Sequence, residues 1–182
     1  MKSIRALGRA AMSLPLAADD IMELHAGRLL LLFHHCGSGG KVAGLTKLAK
    51  IDFFVRYPGF FERVAKHLHK PITPASDETE SAMVRHHYGP WDKRYYQVLA
   101  FLEARRLITV EKHGSTYNFI LTALGQEKAK SLSKTEPFVS LVRQMKDVKK
   151  VLGRMTGTQL KNLVYEVFDA EVRQRKRGEV IK

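Results

Sequence analysis

Residues 92–132 read DKRYYQVLAFLEARRLITVEKHGSTYNFILTALGQEKAKSL, and this stretch decides the fold. Tyr95, Val98, Leu99 and Leu102 recur at helical spacing, so residues 91–106 are predicted as an amphipathic helix started by Pro90 or Asp92. Leu107, Ile108 and Val110 then alternate with polar residues, as do Tyr117, Phe119 and Leu121. The turn residues His113-Gly114-Ser115 lie between the two runs, which predicts a β-hairpin with one buried face. Thr122 is placed to cap a further helix over Ala123–Leu132. Helix, hairpin, helix is therefore the central succession.

Upstream, Asp19 and Asp20 are predicted to cap a mostly buried helix over Ile21–His35. It carries Ile21, Leu24, Leu29, Leu32 and Phe33, and Gly37-Ser38-Gly39-Gly40 ends it. Gly44–Phe54 has apolar residues spaced by three and reads as a helix, which Arg56-Tyr57-Pro58-Gly59 breaks. A short helix from Phe60 to His67 follows. Lys70–Ser81 reads as a loop, Met83–Tyr88 as a short strand and Gly89-Pro90 as a turn. Downstream, Pro137–Leu152 and Thr158–Arg173 are predicted helices, each with an apolar stripe. The first of them sets Arg143, Lys146, Lys149 and Lys150 on its opposite face, and Lys146, Lys149, Lys150 and Arg154 are candidates for a phosphate-facing strip. Residues 173–182 form a basic tail.

The composition bounds the function. The 182 residues include 31 Lys and Arg against 18 Asp and Glu, a net charge of +13. That excess is uneven. Residues 1–18 carry three cations and no acid, residues 19–80 are neutral, residues 81–133 carry +4 and residues 134–182 carry +6. A basic excess concentrated in this way favours a polyanion, most often nucleic acid. A hydrophobic content of 45% and a charged content of 27% are those of a globular chain. The longest apolar run, Leu29–Phe33, is far too short for a membrane span, so no membrane partner is expected. The single cysteine, Cys36, excludes an internal disulfide framework and fits a cytoplasmic setting.

The patterns that would mark an enzyme are missing. The eight histidines occur as His34-His35, His67 with His69, and His86-His87, among others. No His-Glu-x-x-His or paired CxxC supports a metal site. Gly37-Ser38-Gly39-Gly40-Lys41 departs from a phosphate loop, because Val42 follows the lysine where Ser or Thr is needed and a helix precedes it. Cys36 beside His35 lacks a group to orient the base. The chain is read as non-catalytic, with no cofactor.

The segments LEARRLITV (102–110) and YNFILTALGQEKA (117–129) resemble the winged helix-turn-helix superfamily, which includes regulators of the multiple-antibiotic-resistance type. They are similar to its LexxGLI and LTxxGxxxA patterns, although Arg106 stands where that superfamily usually has glycine. Leu45-Thr46-Lys47-Leu48-Ala49-Lys50 looks like the helix before its recognition helix, which makes residues 52–90 an insertion. KLAKIDFF (47–54), RYP (56–58) and YGPWDKRYYQVLAFLEARRLI (88–108) resemble, more narrowly, the middle components of bacterial three-component ABC ATPase systems of antiphage defence. Those are small winged-helix proteins encoded beside an SMC-like or Rad50-like ATPase.

The resemblance implies a mainly α fold with a small β-hairpin wing. It divides the chain into a basic arm (1–18), a winged-helix domain (19–133) with its insertion at 52–90, and a C-terminal helical extension (134–182). It also implies DNA as a partner, with the helix over 92–105 in the major groove. Arg94 and Gln97 would then read base edges and Lys93 would hold a phosphate. The wing would offer Lys112 and His113, and the preceding helix Lys47 and Lys50, to the backbone. An SMC- or Rad50-like ATPase or an effector protein is the implied protein partner, with a homodimer as the other assembly. A free-standing transcriptional regulator that binds operator DNA as a dimer is the alternative function.

Overall fold

A computed structural model describes residues 21–73, 83–86 and 89–169. The basic arm, Asp19 and Asp20 as caps, most of the acidic loop and the tail beyond 169 lie outside those residues.

Helix α1 (Met22–Cys36) is buried along most of its length, from His25 to Phe33. Its leucine run makes it the central rod of the molecule. Leu24, predicted to face inward, is instead 41% exposed. The end of α1 is capped from a distance: the Lys149 ammonium donates to the carbonyls of Cys36 and Gly37, at 2.9 Å each. Terminal helix carbonyls lack intrahelical partners, and a cation suits the negative end of the dipole. Lys149 therefore serves the fold and does not belong to the predicted phosphate-facing strip.

A short strand, β1 (Lys41–Ala43), precedes helix α2 (Leu45–Arg56). Nothing in the sequence announced β1, since three residues with only Val42 buried are too few to show alternation. Helix α3 (Pro58–His67) starts two residues before the predicted Phe60, because Pro58 takes the first helical position, where its missing N–H costs nothing. Strands β2 (Val84–His86) and β3 (Gly89–Trp91) pair antiparallel, so Gly89 and Pro90 lie in a strand and not in the predicted turn.

Helix α4 (Tyr95–Ala104) begins later than the predicted residue 91. The Asp92 carboxylate accepts from the Arg94 backbone N–H at 2.9 Å and holds that segment in a turn. At its other end, Arg106 N–H donates to Glu103 O and Leu107 N–H to Leu102 O. Arg106 takes φ +56°, the left-handed conformation usually left to glycine in this type of helix end.

Strands β4 (Ile108–His113) and β5 (Thr116–Leu121) form the predicted hairpin, in the register Ile108↔Leu121, Val110↔Phe119 and His113↔Thr116. β1 joins the other edge of β5 with Val42 opposite Phe119, which gives a three-stranded antiparallel sheet in the order β1-β5-β4. Thr122 caps α5 (Ala123–Leu132) as expected, accepting from Gly125 N–H at 2.9 Å. A Cβ on Gly125 would stand 1.9 Å from the Leu107 carbonyl oxygen, so only glycine lets α5 lie this close to the start of β4.

A 3-10 turn (Glu136–Phe138) leads into α6 (Val139–Leu152), and a capping box of Thr156 and Gln159 opens α7 (Gly157–Val167). These last helices do not stand apart. Val142, Met145, Val148, Leu152, Leu160 and Val164 belong to the same buried cluster as α1, α2 and the sheet. Phe168 sits among Phe53, Phe54 and Phe60, with ring centroids 4.8 to 6.5 Å apart. The architecture is mainly helical, with one small antiparallel sheet and a two-stranded ribbon.

Candidate nucleic-acid interface

Three helices that the chain separates by up to about seventy residues meet over a buried ionic network. Arg28 of α1 donates through Nε to Asp52 of α2 at 3.0 Å. Arg56 of α2 donates through Nη1 to Asp92 at 2.8 Å, and the Tyr95 hydroxyl of α4 donates to Asp52 at 2.8 Å. Arg94 grips Asp92 with both Nε (2.8 Å) and Nη2 (2.9 Å), a bidentate pairing. Its Nη1 lies 2.8 Å from His25 Nε2, while Arg28 Nη1 lies 3.0 Å from His25 Nδ1. Asp52 and Arg56 are fully buried and Asp92 is 4% exposed. Hydrogen bonds from Arg94 and the charge of Arg56 outweigh the burial of Asp92 and hold its carboxyl well below the ordinary carboxylate range.

This network corrects the role given to Arg94. Its guanidinium is committed to Asp92 and His25, so it positions the start of α4 and does not point outward to base edges. Lys50 is corrected likewise. It is 1% exposed, and its ammonium donates to the Pro90 carbonyl at 3.0 Å. Burial lowers its pKa to about 7. Lys50 ties α2 to the β3 strand and offers nothing to a phosphate backbone. Lys47 is half-buried and donates to Gly153 O at 2.9 Å.

The remaining candidates do lie at the surface. Lys93, in the turn before α4, and Gln97, on α4, are exposed. Tyr96 joins them at 66% exposure, its ring 6.0 Å from that of Trp91. Lys112 and His113 are exposed at the end of β4, where Lys112 stands 5.9 Å from the Tyr117 ring and His113 Nε2 is 3.2 Å from Glu111. The surface of α4 is thus aromatic and polar, with its exposed cations, Lys93, Arg105 and Arg106, at its two ends. Arg105 folds back over Phe101, at 4.3 Å from the ring.

Sequence reading missed the network because charged side chains are rarely buried unless paired, and pairing between residues 28, 52, 56, 92 and 94 leaves no local pattern. The local signals were Asp92 two residues before Arg94 and Asp52 four residues before Arg56 on α2.

Burial favours the neutral forms of Cys36 and of the adjacent histidines. Burial pushes the Cys36 thiol up to about 12, and its Sγ lies 3.3 Å from Met145 O. Burial, then His34 and Lys146, lowers His35 to about 4. Among the described residues, no three His, Cys, Asp or Glu side chains gather where they could hold a metal ion, and no helix is long and apolar enough to cross a membrane.

In comparisons with known proteins, no family model, curated protein or solved structure matches this chain.

Proposed function

We propose that this chain is a winged helix-turn-helix protein that binds DNA without catalysing a reaction, as the subunit that links an SMC- or Rad50-like ATPase to DNA in a bacterial defence system. The observation that carries the fold reading is the sheet order β1-β5-β4 combined with the helix order around it. Helix α1, strand β1, helix α2, helix α4 and the β4–β5 hairpin follow one another as in a winged helix. The insertion expected at residues 52–90 begins inside α2, which runs to Arg56, and takes in α3 and most of the β2–β3 ribbon. In this reading α4 faces the major groove and the hairpin faces the adjoining backbone.

The thin charge on α4 supports a subunit of a larger assembly over a protein that recognises DNA alone. Arg94 is held inward, which leaves Lys93 and Gln97 beside an exposed Tyr96. Exposed aromatic residues are enriched at protein interfaces, so one surface suits both DNA and a protein partner. A free-standing regulator that binds operator DNA as a homodimer is the second reading. The exposed apolar side chains Leu24, Leu124 and Val139 favour it.

Two measurements test the proposal. Lys93→Ala combined with Lys112→Ala should weaken binding to a DNA duplex at low salt and reduce the salt slope by about two, one for each lost phosphate contact. Unchanged affinity would remove α4 and the hairpin from the interface. Co-purification from the native host should yield a large coiled-coil ATPase, whereas a stable dimer on a palindromic site with no ATPase would favour the second reading.

A further inference from the structure

Among the exposed large hydrophobic side chains of the described residues, Tyr96 and Tyr117 are the aromatic ones, at 66% and 47% exposure. Tyr96 stands on α4 and Tyr117 on the β4–β5 hairpin, the two elements read as facing DNA. Each ring has a lysine close by. Lys93, exposed in the turn before α4, comes three residues before Tyr96. Lys112 is the cross-strand partner of Tyr117, with its ammonium 5.9 Å from the ring centre.

The ring faces are open and their surroundings are positive. Ala100, one turn on from Tyr96, is exposed and too short to cover its ring. Asp92, four residues before Tyr96, is buried and held by Arg56 and Arg94. Glu103, the acid of α4, accepts from the Val110 N–H at 3.3 Å and so leans toward β4. On the hairpin, Lys112 and Tyr117 share the face that carries Ile108 and Phe119 into the core, but lie past the core's edge. Glu111 points to the other face, beside His113 at 3.2 Å.

We infer that this chain holds DNA through unpaired bases, which stack on Tyr96 and Tyr117 while Lys93 and Lys112 take the neighbouring phosphates. A tyrosine beside a lysine matches a nucleotide of a single strand: every base has a face to stack, and every link a negative charge. A duplex offers the same phosphates but hides its base faces against one another. With Arg94 turned inward, α4 also lacks the guanidinium that reads base edges in a groove. The DNA itself rests on the function proposed above; its single-stranded form rests on the two rings.

The test uses the full chain and three probes of equal length: oligothymidylate, a DNA duplex, and an abasic strand that keeps the phosphates without the bases. Wild type should bind oligothymidylate about tenfold more tightly than either of the others. Tyr96→Ala and Tyr117→Ala should each weaken oligothymidylate binding about tenfold and leave abasic binding unchanged. Tyr96→Phe and Tyr117→Phe, which keep the stacking face, should bind like wild type. Trp91 is the only tryptophan of the chain, and its ring lies 6.0 Å from that of Tyr96. Oligothymidylate should therefore quench its fluorescence in wild type and in Tyr96→Phe, but not in Tyr96→Ala. Circular dichroism melting confirms that each variant folds.

Alanine variants that bind oligothymidylate like wild type, or an abasic strand or a duplex bound as tightly as oligothymidylate, overturn the stacking. Duplex binding that still depends on Lys93 and Lys112 then leaves the DNA reading standing. If wild type binds none of the three probes, the DNA reading itself fails, and the stacking falls with it.

Discussion

Lys50 shows how far one side chain can depart from what its position in the sequence implies. It lies three residues after Lys47 in a helix predicted to touch DNA, yet it is buried and bonded to Pro90 O. Burial brings its pKa to about 7, whereas an unfolded chain holds the same proton to about 10.4. Between those values the unfolded state binds more protons, so stability rises with pH across this window and is lowest below it. Chemical denaturation should therefore show a gain of the order of 2 kcal/mol between pH 7 and pH 9 that Lys50→Met abolishes. An equal gain in the variant would assign the effect to other groups. Arg94 departs from expectation for the same reason. A cation on a helix reads as surface until its counter-charge is known to be buried, and Asp92, only two residues away, is held inward by Arg56, which lies far upstream in sequence. Lys93, Gln97, Lys112 and His113 lie at the surface as read.

Elements were legible where a period or a cap marked them. The α4–hairpin–α5 succession follows from the spacing of apolar residues and from Thr122, and α5 spans the expected residues. β1 was illegible because sheet pairing, not its own pattern, makes it a strand. The ends of α3 and α4 shifted because Pro58 and Asp92 act through local geometry that periodicity does not register. The end of α4 is the clearest element-scale case. Arg106 adopts φ +56° in a helix stop built for glycine, and a non-glycine residue there costs about 1–2 kcal/mol. Glycine loses part of that advantage through the freedom it gives the unfolded chain. Arg106→Gly should therefore raise the melting temperature by about 1–3 °C, since about 1 kcal/mol moves a chain of this size by 2–4 °C. A lower melting temperature would mean that the Arg106 side chain contributes contacts that outweigh its backbone strain.

Along the sequence, the excess of positive charge belongs to residues 1–18 and 81–182, while the neutral residues 19–80 share the core and its ion pairs with Asp92, Arg94 and the C-terminal helices. Phe168 and the buried face of α6 make residues 139–168 part of that core, as the apolar stripes on the last two helices implied. Removing one carboxylate from the ionic network should be costly. Asp92→Asn removes the carboxylate that Arg56 and Arg94 both bond, and breaking a buried pair of this kind costs about 3–5 kcal/mol. The same carboxyl, held below its ordinary range, contributes stability that is complete above about pH 4 and is lost as pH falls toward its folded value. Wild type should thus be more acid-sensitive than Asp92→Asn when each is compared with its own stability at pH 7. The network has a kinetic counterpart. Because α1, α2 and the start of α4 share the same few charges, none of the three can open alone without stranding a charge in the interior. Their amides should exchange with solvent as one unit, at a common opening energy. A protein organised in this way presents α4 at a fixed tilt, so a partner meets a surface whose orientation was settled when the chain folded.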